Sequence, residues 1–275
     1  MKSILIPVDF SEYAKAACVM GAHLARKTGA ELFLLHVAPA PPDWNRLSVE
    51  EQQKHPAIES KIVEAEIKLE KWAKDKTLEH LKTTSIVRPG IVAEVIQNFA
   101  SEYKTDIIIM GAHGLGDSKS YFIGSHAQKV LRTATCPVLS VKKDNKPHLL
   151  KKVIFAADFT EDLKKSITKL VPFAKAMGAR IELLFVNTPG AFRDTISVEK
   201  AMKKWDAAFP ELKMRSHIFN DYEVDRGILK FAEENEMSAI AKVTHNRKGK
   251  AGYMLGITET LLYHSTIPVI SITTQ

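Results

Sequence analysis

The stretch Asp106-Ile107-Ile108-Ile109-Met110-Gly111-Ala112-His113-Gly114, followed nine residues later by Gly124-Ser125, decides how this chain is read. Ile107–Met110 is a short apolar run of the kind that forms a buried strand. Ala127-Gln128-Lys129-Val130-Leu131-Arg132 beyond it reads as a helix. A strand, a glycine-punctuated loop and a helix start make a place where backbone N–H groups can converge on an anion. Glycine is suited to such a loop because it has no Cβ to hold a phosphate away. Ser125 stands where a hydroxyl can cap the helix or touch the same phosphate. The spacing Gly-x2-Gly-x9-Gly-Ser is neither the dinucleotide fingerprint nor a P-loop. A plain strand-to-helix turn that binds nothing is the alternative reading of the same residues.

Working outward, the chain is one unit written twice. Leu5-Ile6-Pro7-Val8-Asp9-Phe10-Ser11-Glu12 returns as Ile154-Phe155-Ala156-Ala157-Asp158-Phe159-Thr160-Glu161. Gly29-Ala30-Glu31-Leu32-Phe33-Leu34-Leu35-His36-Val37 returns as Gly178-Ala179-Arg180-Ile181-Glu182-Leu183-Leu184-Phe185-Val186. His113 and Gly124 match His245 and Gly256, and Cys136-Pro137-Val138-Leu139-Ser140-Val141 matches Ile267-Pro268-Val269-Ile270-Ser271-Ile272. The first copy is the longer one, and its extra residues fall in the proline-rich Pro39–Pro56, which reads as a loop. The polar segment after Val141 sets the boundaries: a first domain over 1–142, a linker over 143–150 and a second domain over 151–275.

In the first copy, strands are expected near Ile4–Val8, Leu32–Val37, Thr84–Val87, Ile107–Met110 and Val138–Val141. Helices are expected near Tyr13–Lys27, Ala57–Lys82, Ala93–Tyr103 and Ser125–Arg132. The second copy repeats the strands near Val153–Ala157, Ile181–Val186, Met214–Phe219, Ala239–Val243 and Val269–Ile272. Alternating strands and helices imply an α/β fold: two repeated doubly wound domains, each an open, mostly parallel five-stranded sheet with helices on both faces. Ligands of such sheets bind at the carboxyl ends of strands where the strand order reverses.

Three segments leave strand ends: Pro7-Val8-Asp9, His36-Val37 and Met110-Gly111. Asp9 can accept a hydrogen bond from a ribose hydroxyl or a base amino group; equally, Asp9 or Ser11 can cap the following helix. Val37 can line an adenine slot or simply end a buried strand. His113 can reach a phosphate or close the turn. Lys119 can screen phosphate charge or, as the preferred reading, stand as a solvated lysine.

The opening Ile-Leu-Ile-Pro-Val-Asp-Phe-Ser-Glu, the Gly-Ala-Glu-Leu-Phe-Leu-Leu-His-Val strand, the glycine loop and the Thr-Cys-Pro-Val-Leu-Ser-Val ending resemble the universal stress protein family. The resemblance spans nearly all of 1–141 and, more weakly, 151–275. It implies ATP, or ADP or AMP, as ligand, accompanied by Mg²⁺, and dimeric association. Carried over by motif position, Pro7, Val8, Asp9 and Val37 would meet the adenosine. Met110, Gly111, His113, Gly114, Gly124 and Ser125 would surround the phosphates. The last strands, Val138–Val141 and Val269–Ile272, would be the pairing edges. In the second copy Gly111 becomes Val243, Gly114 becomes Asn246 and Ser125 becomes Ile257, so that copy is expected to bind ATP poorly or not at all, and either to serve for pairing or to bind a different anion.

The 45% hydrophobic and 26% charged composition is that of a soluble globular protein, and no apolar stretch is long enough for a membrane helix. The start reads as a strand rather than a secretory signal, and two cysteines give no disulfide framework. A cytoplasmic location with reduced thiols is expected, Cys18 packing in a helix. The net charge of +7 is scattered among acidic residues with no aromatic–basic alternation, which argues against nucleic acid as a partner. The expectation is a non-enzymatic, nucleotide-binding stress or regulatory protein. A slow ATPase or phosphotransferase and a nucleotide-independent scaffold are the alternatives, since no nucleophile–base set or metal cluster is evident.

Overall fold

The computed structural model describes residues 1–112, 125–159, 164–245 and 256–274. The chain divides into two compact units, Met1–Lys143 and Asp144–Gln275. In the first unit the strands are β1 (Ser3–Pro7), β2 (Glu31–Pro39), β3 (Thr83–Gly90), β4 (Ile107–Gly111) and β5 (Val138–Val141). They lie in the order β3-β2-β1-β4-β5, and every pair is parallel. Ile4, Leu5 and Ile6 at the centre are fully buried, as strands covered on both faces must be.

Helix α1 (Glu12–Thr28) starts at Ser11, whose hydroxyl accepts from the Ala14 N–H, and ends at Gly29 with φ of 69°. It packs so closely on β1 that a Cβ on Gly21 would lie 2.5 Å from Ile6 Cδ1. The remaining helices of this unit are α2 (Val49–Gln53), α3 (Pro56–Ala73), α4 (Val92–Glu102) and α5 (Ser125–Thr133).

Two sequence expectations need correcting. The helix expected over Ala57–Lys82 ends at Ala73, and a 3-10 turn, Lys76–Leu78, follows it. Asp75 breaks the helix because its carboxylate accepts from the Thr77 N–H, a local bond that competes with helical pairing. The Pro39–Pro56 segment, expected as a loop, contains a 3-10 turn (Trp44–Arg46) and α2. Ser48 and Glu51 form a reciprocal capping box there, and Trp44 is buried at 3% exposure.

The second unit repeats the plan. Its strands are β6 (Lys152–Ala156), β7 (Arg180–Asn187), β8 (Met214–Asn220), β9 (Ala239–His245) and β10 (Val269–Thr274). Their order is β10-β9-β6-β7-β8, again all parallel. Between them run α6 (Lys164–Thr168), α7 (Val171–Met177), α8 (Thr195–Ala208), α9 (Val224–Glu234) and α10 (Ile257–His264). Gly178 ends α7 with φ of 58°, the counterpart of Gly29. Each unit is therefore a doubly wound α/β domain. Among the described residues, no helix is long and apolar enough to cross a membrane.

Candidate functional site

In the first unit β1 sits between β2 and β4, so connections leave it in opposite directions and a crevice opens at the carboxyl ends. The registers Ile6↔Leu34 and Leu5↔Ile108 bring Pro7–Asp9, Val37 and Met110–Gly111 to that end of the sheet. Pro7 closes β1 and is half-buried; Val8 is buried, its N–H donating to the Leu35 carbonyl at 2.8 Å. Val37 and Met110 are each 7% exposed, whereas Gly111, paired with Val141, is half-exposed at the rim.

Asp9 does the local job that the sequence allowed. Its Oδ1 accepts from the Ser11 N–H at 3.0 Å and from the Ser11 hydroxyl at 2.6 Å, bracing the residue that caps α1. Its other oxygen, Oδ2, has no partner among the described residues. Asp9 is half-buried, so that oxygen is an acceptor left available at the crevice.

Of two neighbours, Phe10 was given no role in the sequence and His36 was named only as part of a strand end. Phe10 adopts φ of 64°, and its ring lies 4.7 Å from that of His36 and 5.6 Å from Trp72. Phe159, its counterpart, repeats the left-handed conformation at φ of 56°. His36 Nδ1 lies 2.7 Å from the Val8 carbonyl, which can only accept, so Nδ1 carries the proton. Burial lowers the His36 pKa, against the opposing pull of that carbonyl and of Asp9, and leaves a neutral ring at neutral pH. The recurring Asp-Phe pair was the sequence signal for this turn.

Of the remaining predicted residues, His113, Gly114, Lys119 and Gly124 lie outside the described residues. Ser125 is the first residue of α5, and its side chain also lies outside them. Buried Ser140, in register with Met110, has an Oγ without a partner among the described residues. Among the described residues there is no group of three His, Cys, Asp or Glu that could hold a metal ion.

The profile of the universal stress protein family matches residues 1–142, just over half of the chain. The chain belongs to the universal stress protein family. It is 33% identical over 142 residues to a universal stress protein of Thermus aquaticus, a match covering 51% of this chain and 98% of that protein. It is 32% identical over 158 residues to universal stress protein MJ0577 of Methanocaldococcus jannaschii, covering 52% of this chain and 96% of that protein. Across its full length the fold is similar to the crystal structure of a universal stress protein from Archaeoglobus fulgidus DSM 4304. That match has a TM-score of 0.78 at 20% identity and covers 99% of this chain and 98% of that one. The family fold is thus present twice in one chain.

The second unit furnishes its strand ends differently. Asp158 is exposed, and its carbonyl accepts from Arg193 Nη1 at 2.6 Å. Lys242 replaces Met110, and burial pulls its pKa down although Asp158 opposes this. Val243, in place of Gly111, is buried. Thr244 Oγ1 bonds Thr258 Oγ1 at 2.9 Å and Ser271 Oγ at 2.6 Å, so the counterpart of Ser140 is satisfied internally. At the start of α10 the Glu259 carboxylate folds back on Gly256: a Cβ there would meet Glu259 Oε2 at 2.6 Å. The helix start that would receive a phosphate already faces a carboxylate of its own chain.

Proposed function

We propose that the first unit binds ATP or a related adenine nucleotide, and that the chain is a cytoplasmic stress-response or regulatory protein rather than an enzyme. One observation carries the reading. The switch-point crevice gathers three separate motif segments and leaves Asp9 Oδ2 without a partner among the described residues. In this reading Oδ2 accepts from the ribose or the base, Pro7, Val8 and Val37 line the adenosine side, and Met110 offers its backbone. Gly111, bare of a Cβ, begins the phosphate loop that His113, Gly114, Gly124 and Ser125 complete. Mg²⁺ would be held chiefly by phosphate oxygens and water, its usual preference. ATP supplies a charged ligand whose binding stabilises the first unit and biases how the chain associates. The second unit, with Val243 and the Glu259 carboxylate at the equivalent places, would serve for association through the edges Val138–Val141 and Val269–Ile272.

The test is calorimetric titration of the full chain together with the variant Gly111→Val, which writes the second unit's residue into the first. The wild-type chain should bind ATP and melt at higher temperature when saturated. The variant should keep its unligated melting temperature and lose the ATP-induced rise. An ATP-induced rise in the variant as large as that of the wild type would refute the assignment.

A further inference from the structure

The amino ends of the strands, opposite the nucleotide crevice, differ between the two units in a way the fold does not require. The backbone frame is the same in both. In the first unit Glu31 N–H donates to the Lys2 carbonyl at 2.9 Å, Leu32 N–H to Lys82 at 2.8 Å and Asp106 N–H to Ser3 at 3.1 Å. In the second, Arg180 N–H donates to Lys151 at 2.8 Å, Ile181 N–H to Lys213 at 3.1 Å and Ser238 N–H to Lys152 at 2.9 Å. These bonds equate Glu31 with Arg180, Ser3 with Lys152, and Asp106 with Ser238.

The charges at these positions are not equivalent. In the first unit Glu31 pairs with Lys82 at 2.7 Å, and Asp106 Oδ2 accepts from the backbone N–H groups of Lys2 and Ser3. In the second unit the neutral Ser238 hydroxyl does that work, accepting from Lys151 and Lys152 N–H at 2.9 and 2.8 Å. A hydroxyl therefore suffices to hold the frame. Replacing two carboxylates by Arg180 and Ser238, and a serine by Lys152, makes this end strongly positive.

The positive groups surround a cavity of about 420 Å³, lined by Lys151, Lys152, Lys175, Arg180 and Lys213, with Glu211 as its only lining carboxylate among the described residues. Some of that charge has internal work. Lys151 Nζ donates to the Met177 carbonyl at 2.6 Å at the end of α7, and Lys152 Nζ to the Asn235 carbonyl at 3.2 Å. Arg180 Nε bonds buried Glu182, which His217 also contacts at 2.7 Å. The rest of the charge has little: Lys175 is 4.0 Å from Glu211, and the Lys213 ammonium has no partner among the described residues. The Arg180 Nη groups are not used in its bond to Glu182.

We propose that this cavity is a second anion site, for a small molecule carrying two or more phosphate charges. Its volume suits a compact ligand, and its donors converge from three segments: Lys151–Lys152, Lys175–Arg180 and Lys213. Free polyphosphate and a phosphorylated metabolite present the same chemistry, so both serve as probes.

The experiment is titration calorimetry of pyrophosphate, and separately of a hexose bisphosphate, into the full chain carrying Gly111→Val, which removes the first unit's phosphate loop from consideration. Binding at one site is expected, weakening as salt is raised because exposed charges are screened. Lys175→Gln with Lys213→Gln should weaken it by about tenfold or more, since hydrogen bonds to charged groups are the strong ones. Neither residue makes a short internal bond, so the unligated melting temperature should hold. Arg180→Glu, which restores the first unit's residue, should abolish binding. ATP affinity measured with Gly111 in place should not change in the Lys175→Gln, Lys213→Gln chain. Tighter binding of the bisphosphate than of pyrophosphate would mark a metabolite, and the reverse a free polyphosphate; either supports the site. No binding of either probe, equal binding by the charge variants, or hexaglutamate binding as tightly as pyrophosphate would overturn it.

Discussion

Replacing Asp9 by alanine separates two roles that share one carboxylate. The structural role is visible: Oδ1 accepts from the Ser11 N–H and hydroxyl, at 3.0 and 2.6 Å. Losing two partly buried bonds of this kind costs about 1–2 kcal/mol of folding stability. The ligand role rests on Oδ2. One hydrogen bond from a nucleotide to a charged acceptor contributes about 1.5–3 kcal/mol, so ATP affinity should fall by about 10- to 150-fold. Ser11→Ala is the control. It removes the cap on Ala14 N–H at 3.1 Å and should cost about 1 kcal/mol of stability, while leaving Asp9 Oδ2 free to bind. Urea unfolding followed by circular dichroism gives the stabilities, and calorimetry gives the affinities. Both variants should be destabilised; only Asp9→Ala should lose ATP. If Asp9→Ala is destabilised yet binds ATP as the wild type does, Asp9 is a brace for α1 and the proposed acceptor role is wrong.

Two further outcomes follow from titratable groups. Burial raises the Glu182 pKa, but bonds from His217 and Arg180 outweigh it and hold the carboxyl below its ordinary value. A carboxylate depressed in the folded state stabilises above its unfolded pKa of about 4.3 and loses that contribution as pH falls through the folded value. Unfolding midpoints should therefore drop across the acid range below about pH 4, and His217→Ala should shrink the drop; a midpoint flat over that range would contradict the pairing. Burial, with a smaller push from Asp75, raises the Cys18 thiol to about 12. At pH 8 iodoacetamide should leave Cys18 unmodified in the folded chain and alkylate it in guanidinium, as peptide mass mapping would reveal. Rapid modification of the folded chain would show that α1 opens more readily than its packing implies.

Much of this protein was legible before any folding was considered. Apolar runs such as Ile4–Ile6 and Ile107–Met110 form strands because both faces of a parallel sheet are covered. The doubled Asp-Phe and Gly-Ala segments disclosed two copies of one fold. The proposed nucleotide residues could be named because three segments leave strand ends and because their motifs resemble those of the universal stress protein family. The end of α3 at Ala73 was less legible, because Asp75 competes for a backbone N–H only at a given local geometry.

Contacts between residues distant in sequence were left to the tertiary structure. Packing pinned His36 to the Val8 carbonyl beside the Phe10 ring, and set the Glu182 carboxylate against His217. It also drew Lys151, Arg180 and Lys213 around one cavity, although at each position the sequence offers only one more surface cation. The reason is physical. Hydrophobic periodicity is a property of neighbouring residues and survives in any stretch of chain, whereas the field at a site sums charges from segments that only the register of the sheet brings together.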